Sequence, residues 1–209
     1  MKIITISDSH GQHHDLKLPS GDMLIHAGDV TSSGTKTQVL DFLQWYGALN
    51  YKYKIFIAGN HDFYFEQAGP EEIKQLIPDD VIYLNDSGVV INGLHIWGSP
   101  VQPWFYDWAF NKQRGAAIRQ HWELIPMDTD ILITHGPAHS VLDLTQGNEL
   151  AGCFDLLEVI KEVKPKVHVS GHIHEGYGQI NLFGVKFINA SVLDENYILV
   201  KKPICFKIA

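Results

Sequence analysis

The chain has 209 residues, 45% of them hydrophobic, and a formal net charge of −8 at pH 7. Its length and composition fit one compact domain with a sizeable core, so we expect residues 1–209 to fold as a single domain. The acidic balance argues against a duplex DNA or RNA partner, because phosphate backbones are held by clustered Lys and Arg.

The hydropathy pattern also gives an expectation for the cellular location of the protein. No stretch approaches the roughly 20 apolar residues that a membrane-spanning helix needs, and the N-terminus lacks the pattern of a signal peptide. We therefore expect a cytoplasmic protein that has no membrane partner. The oligomeric state is left open.

Short apolar runs alternate with amphipathic segments along the chain. The runs predict strands at residues 3–6, 23–27, 55–58, 131–134 and 167–170. The amphipathic segments predict helices at residues 37–49, 70–77, 113–122 and 153–163. This alternation is typical of parallel, buried strands that are joined by crossover helices.

Two hairpins are predicted between and after these elements. Asn92 and Gly93 separate the apolar runs 89–91 and 94–97, which is a strong signal for a tight turn between antiparallel strands. Phe183 and Gly184 separate the runs 179–182 and 185–188 in the same way. Together with the parallel strands, these hairpins favour an α/β domain with two sheets and flanking helices.

Polar side chains follow five of the predicted strands. Seven of them carry the oxygen or imidazole donors that divalent cations prefer: Asp8, His10, Asp29, Asn60, His135, His172 and His174. Because ligands of parallel α/β sheets bind outside the carboxyl ends of the strands, we expect these side chains to converge on one crevice. Bound metal, rather than a basic patch, would then supply positive charge for a phosphate group.

These clusters carry a family resemblance. They read Asp8-Ser9-His10, Gly28-Asp29, Gly59-Asn60-His61-Asp62, Thr134-His135-Gly136 and Gly171-His172-Ile173-His174. In this order they resemble the motifs of the calcineurin-like metallophosphoesterases. Nearly the whole chain is similar to the small brain-type metallophosphoesterase-domain-containing proteins, which are related to class III cyclic nucleotide phosphodiesterases. The resemblance implies a four-layer αββα sandwich, in which two mixed β-sheets are flanked by helices.

The resemblance also implies a dinuclear metal centre. Asp8, His10 and His174 would bind one ion. Asn60, His135 and His172 would bind the other. Asp29 would bridge the two ions. Manganese is the first expectation, and Fe, Zn, Co or Ni also suit these donors. Two cations that share a carboxylate lower the pKa of a bridging water and clamp phosphoryl oxygens, so the resulting hydroxide attacks phosphorus in line.

Four further residues are candidates for catalysis or substrate binding. His61 would stabilise phosphoryl charge and protonate the leaving oxygen, with Asn60 beside it at the phosphate. Asp62 would orient the His61 imidazole, unless it is a turn or cap carboxylate. Trp104 would stack on a nucleobase, unless its aromatic segment is a packed loop. Asn189 would fix a phosphate or a ligand loop, unless it is a turn asparagine.

We therefore expect a metal-dependent phosphodiesterase that hydrolyses small substrates, with cyclic nucleotides first among them. A phosphomonoesterase or protein phosphatase is one alternative. The other alternative is a low-activity scaffold that binds nucleotides or proteins, but such scaffolds usually lack metal ligands, and all seven are present here.

Overall fold

The apolar runs of the sequence form buried strands in the computed structural model, which describes residues 1–208. In chain order the strands are β1 (Lys2–Ile6), β2 (Met23–Ala27), β3 (Tyr53–Ile57), β4 (Val81–Tyr83), β5 (Ser87–Ile91), β6 (Leu94–Ser99), β7 (Gln102–Pro103), β8 (Asn111–Lys112), β9 (Ile131–Thr134), β10 (Val167–Ser170), β11 (Gly178–Leu182), β12 (Val185–Asn189) and β13 (Ile204–Lys207). The helices are α1 (Lys36–Ala48), α2 (Phe63–Gln67), α3 (Pro70–Leu76), α4 (Ala116–Trp122) and α5 (Phe154–Val163).

The strands form two large sheets. The first has five strands in the order β13-β1-β2-β3-β4, and the second has six in the order β11-β12-β10-β9-β6-β5. Parallel pairs occupy the centre of each sheet, whereas β13 pairs with β1 in the antiparallel sense and both predicted hairpins are antiparallel. In the hairpins Ile91 pairs with Leu94 and Leu182 pairs with Val185, as expected for tight turns.

Three apolar layers separate the four layers of secondary structure. Alternation along the strands explains them, because neighbouring residues such as Ile3 and Ile4 point to opposite faces. Ile3 lies in the core between the two sheets. Ile4 lies in the core that the first sheet shares with α1, α2 and α3, and a third core joins the second sheet to α4 and α5. The predicted αββα sandwich with two mixed sheets is confirmed.

The element bounds differ from the predictions in a few places. Helix α4 begins at Ala116 rather than at residue 113, because Gly115 has a φ of 82° and cannot continue a helix. Helix α2 was not predicted, since five residues are too few to show a helical period. The two-residue pair of β7 and β8 was not predicted either. Among the described residues, no helix has both the length and the apolarity to cross a membrane.

Residue His168 on β10 makes the stability of the fold pH-dependent. Its side chain is fully enclosed, its Nε2 atom lies 2.8 Å from Thr134 Oγ1, and burial lowers the pKa of His168 to about 3. The unfolded chain, with a histidine pKa of about 6.5, therefore binds a proton that the folded chain excludes. This contribution to stability is present above about pH 6.5 and is lost as the pH falls towards 3.

We predict that His168→Gln reduces the pH dependence of unfolding. Between pH 7.5 and pH 4.5 the wild type should lose about 2 to 3 kcal/mol more stability than the variant, since each pKa unit is worth about 1.4 kcal/mol. Urea unfolding at both pH values measures the difference. His95→Gln is the control, because it makes the same change at a half-exposed side chain. An unchanged pH dependence in His168→Gln would contradict the assignment.

Candidate metal centre

The carboxyl ends of central strands from both sheets meet at one cavity of about 360 Å³. Asp8, Asp29 and Asn60 follow β1, β2 and β3 of the first sheet. His135 and His172 follow β9 and β10 of the second sheet. The structure thus brings together residues that the sequence separates by more than 160 positions, as the strand-end argument predicted.

Three of these side chains form a first group at the cavity. Asp8, His10 and His174 offer ligand atoms that all lie within 4.8 Å of one another. His174 Nε2 is 3.6 Å from Asp8 Oδ1. The Asp8 carboxylate also accepts hydrogen bonds from the His172 N–H group at 3.0 Å and from the Ser191 hydroxyl at 2.8 Å. The first group therefore lies where β1 meets the second sheet.

A second group lies beside the first. Asp29, His135 and His172 also offer ligand atoms within 4.8 Å of one another. His135 Nε2 is 3.3 Å from Asp29 Oδ2 and 2.8 Å from Asn60 Oδ1. Asp29 Oδ2 is in turn 3.6 Å from His10 Nε2 of the first group. The Asp29 carboxylate thus contacts both groups, which is the position of a bridging ligand.

The backbone that presents these side chains is unusual. Asp8, His10, Asp29 and His172 all have positive φ values, between 42° and 66°. Residues other than glycine adopt this conformation rarely, and such positions cluster at functional sites. Strands β1, β2 and β10 are therefore followed by sharp turns that carry candidate ligand side chains to the crevice.

Close approach of the loops requires glycine at two positions. A Cβ atom on Gly28, whose φ is 102°, would lie 2.4 Å from His135 Nδ1. A Cβ atom on Gly59 would lie 2.3 Å from Asp29 Oδ1. Both distances are too short for any side chain, so these glycines let the loops pack against the donor atoms.

Hydrogen bonds to backbone carbonyls orient several imidazoles. His135 Nδ1 lies 2.9 Å from the Ala27 carbonyl oxygen, and His174 Nδ1 lies 2.8 Å from that of Asp194. A carbonyl oxygen can only accept, so each Nδ1 atom carries a proton and Nε2 is the atom directed at the neighbouring carboxylate, Asp29 for His135 and Asp8 for His174. This arrangement is typical of histidines that bind metal.

His10 provides the test of whether a metal fits the centre. Its side chain is buried, yet neither ring nitrogen has a hydrogen-bond partner. An unpaired buried polar atom is costly, and native proteins rarely leave one without a reason. An ion at the first group would satisfy the His10 Nε2 atom, so the donor set of the centre fits a bound metal.

The electrostatics of the two groups are those of a cation site. Burial by itself raises the pKa of the Asp8 and Asp29 carboxyls, but the neighbouring imidazoles, chiefly His174 and His135, hold both values well below the usual range. Burial lowers the pKa of both imidazoles, yet the adjacent carboxylates raise them to about 9. The buried carboxylates therefore attract positive charge, whether a proton or a metal ion supplies it.

Asp62 does not orient the imidazole of His61. Its carboxylate accepts hydrogen bonds from the N–H groups of Val30, Thr31 and Gly59 and from the Thr31 hydroxyl, at 2.6 to 3.1 Å. Within residues 1–208 no hydrogen bond joins it to the His61 ring, so the geometry favours the turn-carboxylate alternative over the catalytic role. Burial and the charge of Asp29 raise the pKa of Asp62 to about 6. Its function in the structure is to tie the loops after β2 and β3 together.

His61 is held at the edge of the cavity by three other contacts. Its Nδ1 atom lies 2.8 Å from the Ser32 carbonyl oxygen, so that atom carries the proton. Its ring lies against Trp108, with 4.2 Å between centroids and an angle of 31° between planes. The backbone N–H group of His61 donates to Asp29 Oδ1 at 2.8 Å. The second nitrogen, Nε2, remains available to a substrate.

Asn189, which the sequence predicted to bind substrate or to fix a ligand loop, does not line the cavity. Its side chain is fully buried and is absent from the cavity wall. Its amide donates to the Ile173 carbonyl at 2.7 Å and to the Gly171 carbonyl at 3.3 Å, and its oxygen accepts from the Ser191 hydroxyl at 2.8 Å. Asn189 therefore fixes the loop that carries His172 and His174, which agrees with the other half of the prediction.

Trp104 lines the cavity from the loop between β7 and β8, and its side chain is half exposed. Among the residues of this wall that were missed from the sequence are Tyr197 and Arg114. The Tyr197 ring lies 5.0 Å from that of His10 and 5.2 Å from that of His174, between centroids. Neither residue lies in a motif, so no sequence signal marks it.

The loop between β7 and β8 is anchored at its C-terminal end and also by the Asn111 amide, which donates to the Phe105 and Tyr106 carbonyls at 3.0 and 2.8 Å. The Ala109 N–H group donates to the Asn60 carbonyl at 3.1 Å, and the Phe110 N–H group donates to Glu66 Oε1 at 2.7 Å. The side chains of Phe105 and Tyr106 are at least half exposed. The loop is thus attached to the ligand loop of Asn60 while its tip extends into solvent.

Comparisons with known proteins agree with this geometry. A family model described as calcineurin-like phosphoesterase matches residues 1–176. Human metallophosphoesterase domain-containing protein 1 is 42% identical over 97% of this chain and 69% of its own length. A UPF0046 protein of Caenorhabditis elegans is 37% identical over 100% of this chain and 60% of its own length.

Solved structures with low sequence identity share the fold. The phosphopantetheinyl hydrolase of Mycobacterium tuberculosis superposes with a TM-score of 0.64 at 16% identity, over 94% of this chain and 90% of that protein. A Thermus thermophilus protein superposes with a TM-score of 0.64 at 14% identity, over 98% of this chain and 97% of that protein.

Proposed function

The chain belongs to the calcineurin-like phosphoesterase family, and we propose that it is a phosphodiesterase that uses two divalent metal ions to hydrolyse small nucleotides. The family supports a metal-dependent phosphoesterase, and the resemblance stated from the motifs is confirmed. The observation that carries the proposal is the pair of donor groups that share Asp29. We also propose that residues 1–209 act as one domain, and the cytoplasmic location stays a prediction.

The residues that would hold the metals follow from the two groups. We assign Asp8, His10 and His174 to one ion and Asn60, His135 and His172 to the other, with Asp29 as the shared ligand. Manganese is our first choice, and Fe, Zn, Co or Ni also suit oxygen and imidazole donors. When bound, two such ions supply a nucleophile from water at neutral pH and neutralise charge on the phosphoryl oxygens.

His61 is the proposed proton donor to the leaving oxygen. The Ser32 carbonyl holds the Nδ1 proton, and Trp108 restricts the tilt of the ring. When the ring is protonated, Nε2 carries a second proton that can pass to an alkoxide in the cavity. Asn60, one residue earlier in the same loop, is placed to contact the phosphate together with its metal. His61 thus combines charge stabilisation with proton transfer.

The cavity wall favours a nucleotide over a protein substrate. Trp104 offers an exposed aromatic face within the same cavity as Asp29 and Asn60, and base stacking on such a face is worth about 1 to 3 kcal/mol. The cavity volume of about 360 Å³ is in the range of small-molecule sites. The net charge of −8 argues against a nucleic acid strand as the substrate.

The first test compares a phosphodiester with a phosphomonoester. After chelation the protein should hydrolyse neither bis-p-nitrophenyl phosphate nor p-nitrophenyl phosphate, and added Mn²⁺ should restore cleavage of the diester with little of the monoester. The release of p-nitrophenolate, measured alongside the metal content, reports the result. Equal or greater activity on the monoester would favour the phosphomonoesterase alternative. Two bound ions without any cleavage would favour the scaffold alternative.

A second test separates proton donation from metal binding at His61. His61→Ala should keep both metal ions but slow turnover of a cyclic nucleotide by about 10² to 10⁴-fold, since a poor alkoxide leaving group needs a proton. The loss on bis-p-nitrophenyl phosphate should be much smaller, because nitrophenolate leaves without one. His139→Ala is the matched control, as this half-buried imidazole lies outside the cavity wall. Equal losses on both substrates would remove the proton donor assignment.

A third test concerns the proposed base platform. Trp104→Ala should raise KM for a cyclic nucleotide by about tenfold or more, in line with the energy of base stacking. It should leave metal content and kcat for bis-p-nitrophenyl phosphate near wild type. Val90→Ala changes a comparably exposed apolar side chain on β5 and serves as the control. If KM for the nucleotide did not change, Trp104 would not contact the base.

A further inference from the structure

A separate group of metal-binding side chains lies outside the cavity. His13 and His14 are on the short 3-10 turn His13–Asp15 that follows β1, and Asp41 is on helix α1. Their ligand atoms all lie within 4.8 Å of one another. The proposed activity makes no use of these three residues, since none of them lines the cavity.

His13 is the unusual member of this group. Its side chain is 1% exposed and packs edge-on against Phe42 and at a tilt against Trp45, at centroid distances of 5.7 and 4.9 Å. Within residues 1–208 neither of its ring nitrogens makes a hydrogen bond of good geometry. The Nε2 atom nevertheless lies 3.2 Å from Asp41 Oδ2. A buried imidazole with an unsatisfied nitrogen next to a carboxylate calls for a partner that lies between them.

His14 completes the arrangement from the solvent side. Its Nε2 atom is 3.1 Å from Asp41 Oδ1, so the carboxylate contacts one imidazole with each oxygen. The side chains of His14 and Asp41 are both more than half exposed. The group is therefore open to ions from solvent on one side and closed by aromatic rings on the other.

We propose that His13, His14 and Asp41 form a mononuclear site for a borderline divalent cation, of which Zn²⁺ is the best match. Two imidazoles and one carboxylate are a common set for zinc, with water at the open fourth position. Ligand atoms about 2.0 to 2.1 Å from one ion are roughly 3.0 to 3.4 Å apart. The two distances of 3.1 and 3.2 Å agree with that spacing.

The charge state of His13 suits a ligand. Burial, followed by the nearby His14, lowers the pKa of His13 to about 4, although Asp41 acts in the opposite direction. The imidazole is therefore neutral at physiological pH, and a lone pair is free to bind an ion. Metal binding at neutral pH then needs no prior loss of a proton from this ring.

An ion at this site would connect the turn after β1 to helix α1. The turn that carries His13 begins three residues after His10, and α1 follows the loop of Asp29. The His10 N–H group already donates to the Asp29 carbonyl at 3.0 Å. A zinc ion would thus brace the ligand loops from outside, and it would stabilise the folded chain by mass action.

The test measures zinc binding with variants at the exposed members, because His13 is part of the core. After equilibrium dialysis against Zn²⁺, the wild type should hold one more zinc ion per chain than either His14→Ala or Asp41→Asn. Both variants should keep the Mn²⁺-dependent hydrolysis of bis-p-nitrophenyl phosphate and a wild-type circular dichroism spectrum. The additional rise in Tm that zinc gives the wild type should be absent from both.

The matched controls are His95→Ala and Asp128→Asn. His95 Nδ1 lies 2.9 Å from Asp128 Oδ2, which is a similar exposed pair without a third donor. These variants should retain the zinc content of the wild type. Equal zinc content in the wild type, His14→Ala and Asp41→Asn would overturn the proposal. The Asp41 carboxylate would then be only a hydrogen-bond partner of histidine. That result would not bear on the phosphodiesterase, which is measured in the same samples.

Discussion

The carboxylate of Asp8 joins the two sheets, and the metal centre depends on that junction. It follows β1 of the first sheet and accepts hydrogen bonds from the His172 N–H group and the Ser191 hydroxyl, which both belong to loops of the second sheet. Without hydrogen-bond donors or positive charges beside it, burying this carboxylate between two apolar cores would cost several kcal/mol. The donors and the neighbouring imidazoles hold it ionised. The buried negative charge of Asp8 therefore also attracts cations.

A second set of polar residues gives the centre its shape without contacting a ligand. Asp62 gathers the loops after β2 and β3 by accepting from Val30, Thr31 and Gly59. Asn189 does the same for the loop after β10. Both side chains are fully buried, so their hydrogen bonds replace water that the backbone groups would otherwise need. The motif residues thus divide into those that face the cavity and those that support the loops.

The sequence predicted the sheets and the convergence of the candidate metal ligands because both depend on local patterns. Apolar runs mark buried strands, and polar residues directly after them mark the crevice. Side-chain direction beyond the strand end is set by packing, which explains why Asp62 turned away from its neighbour His61. Arg114 and Tyr197 reach the cavity through long-range folding alone. No local pattern could have placed them there.

The loop between β7 and β8 separates the shape of the cavity wall from the packing of the core. Its C-terminal end is bonded to the loop of Asn60 and to Glu66, whereas its tip carries half-exposed Trp104, Phe105 and Tyr106. Mutations at the tip alter few packed contacts and leave the metal donors in place. Substitution of the tip side chains therefore alters the cavity wall at little cost to folding, whereas any change that displaces the backbone at Ala109 or Phe110 also displaces the contacts to the Asn60 loop and to Glu66.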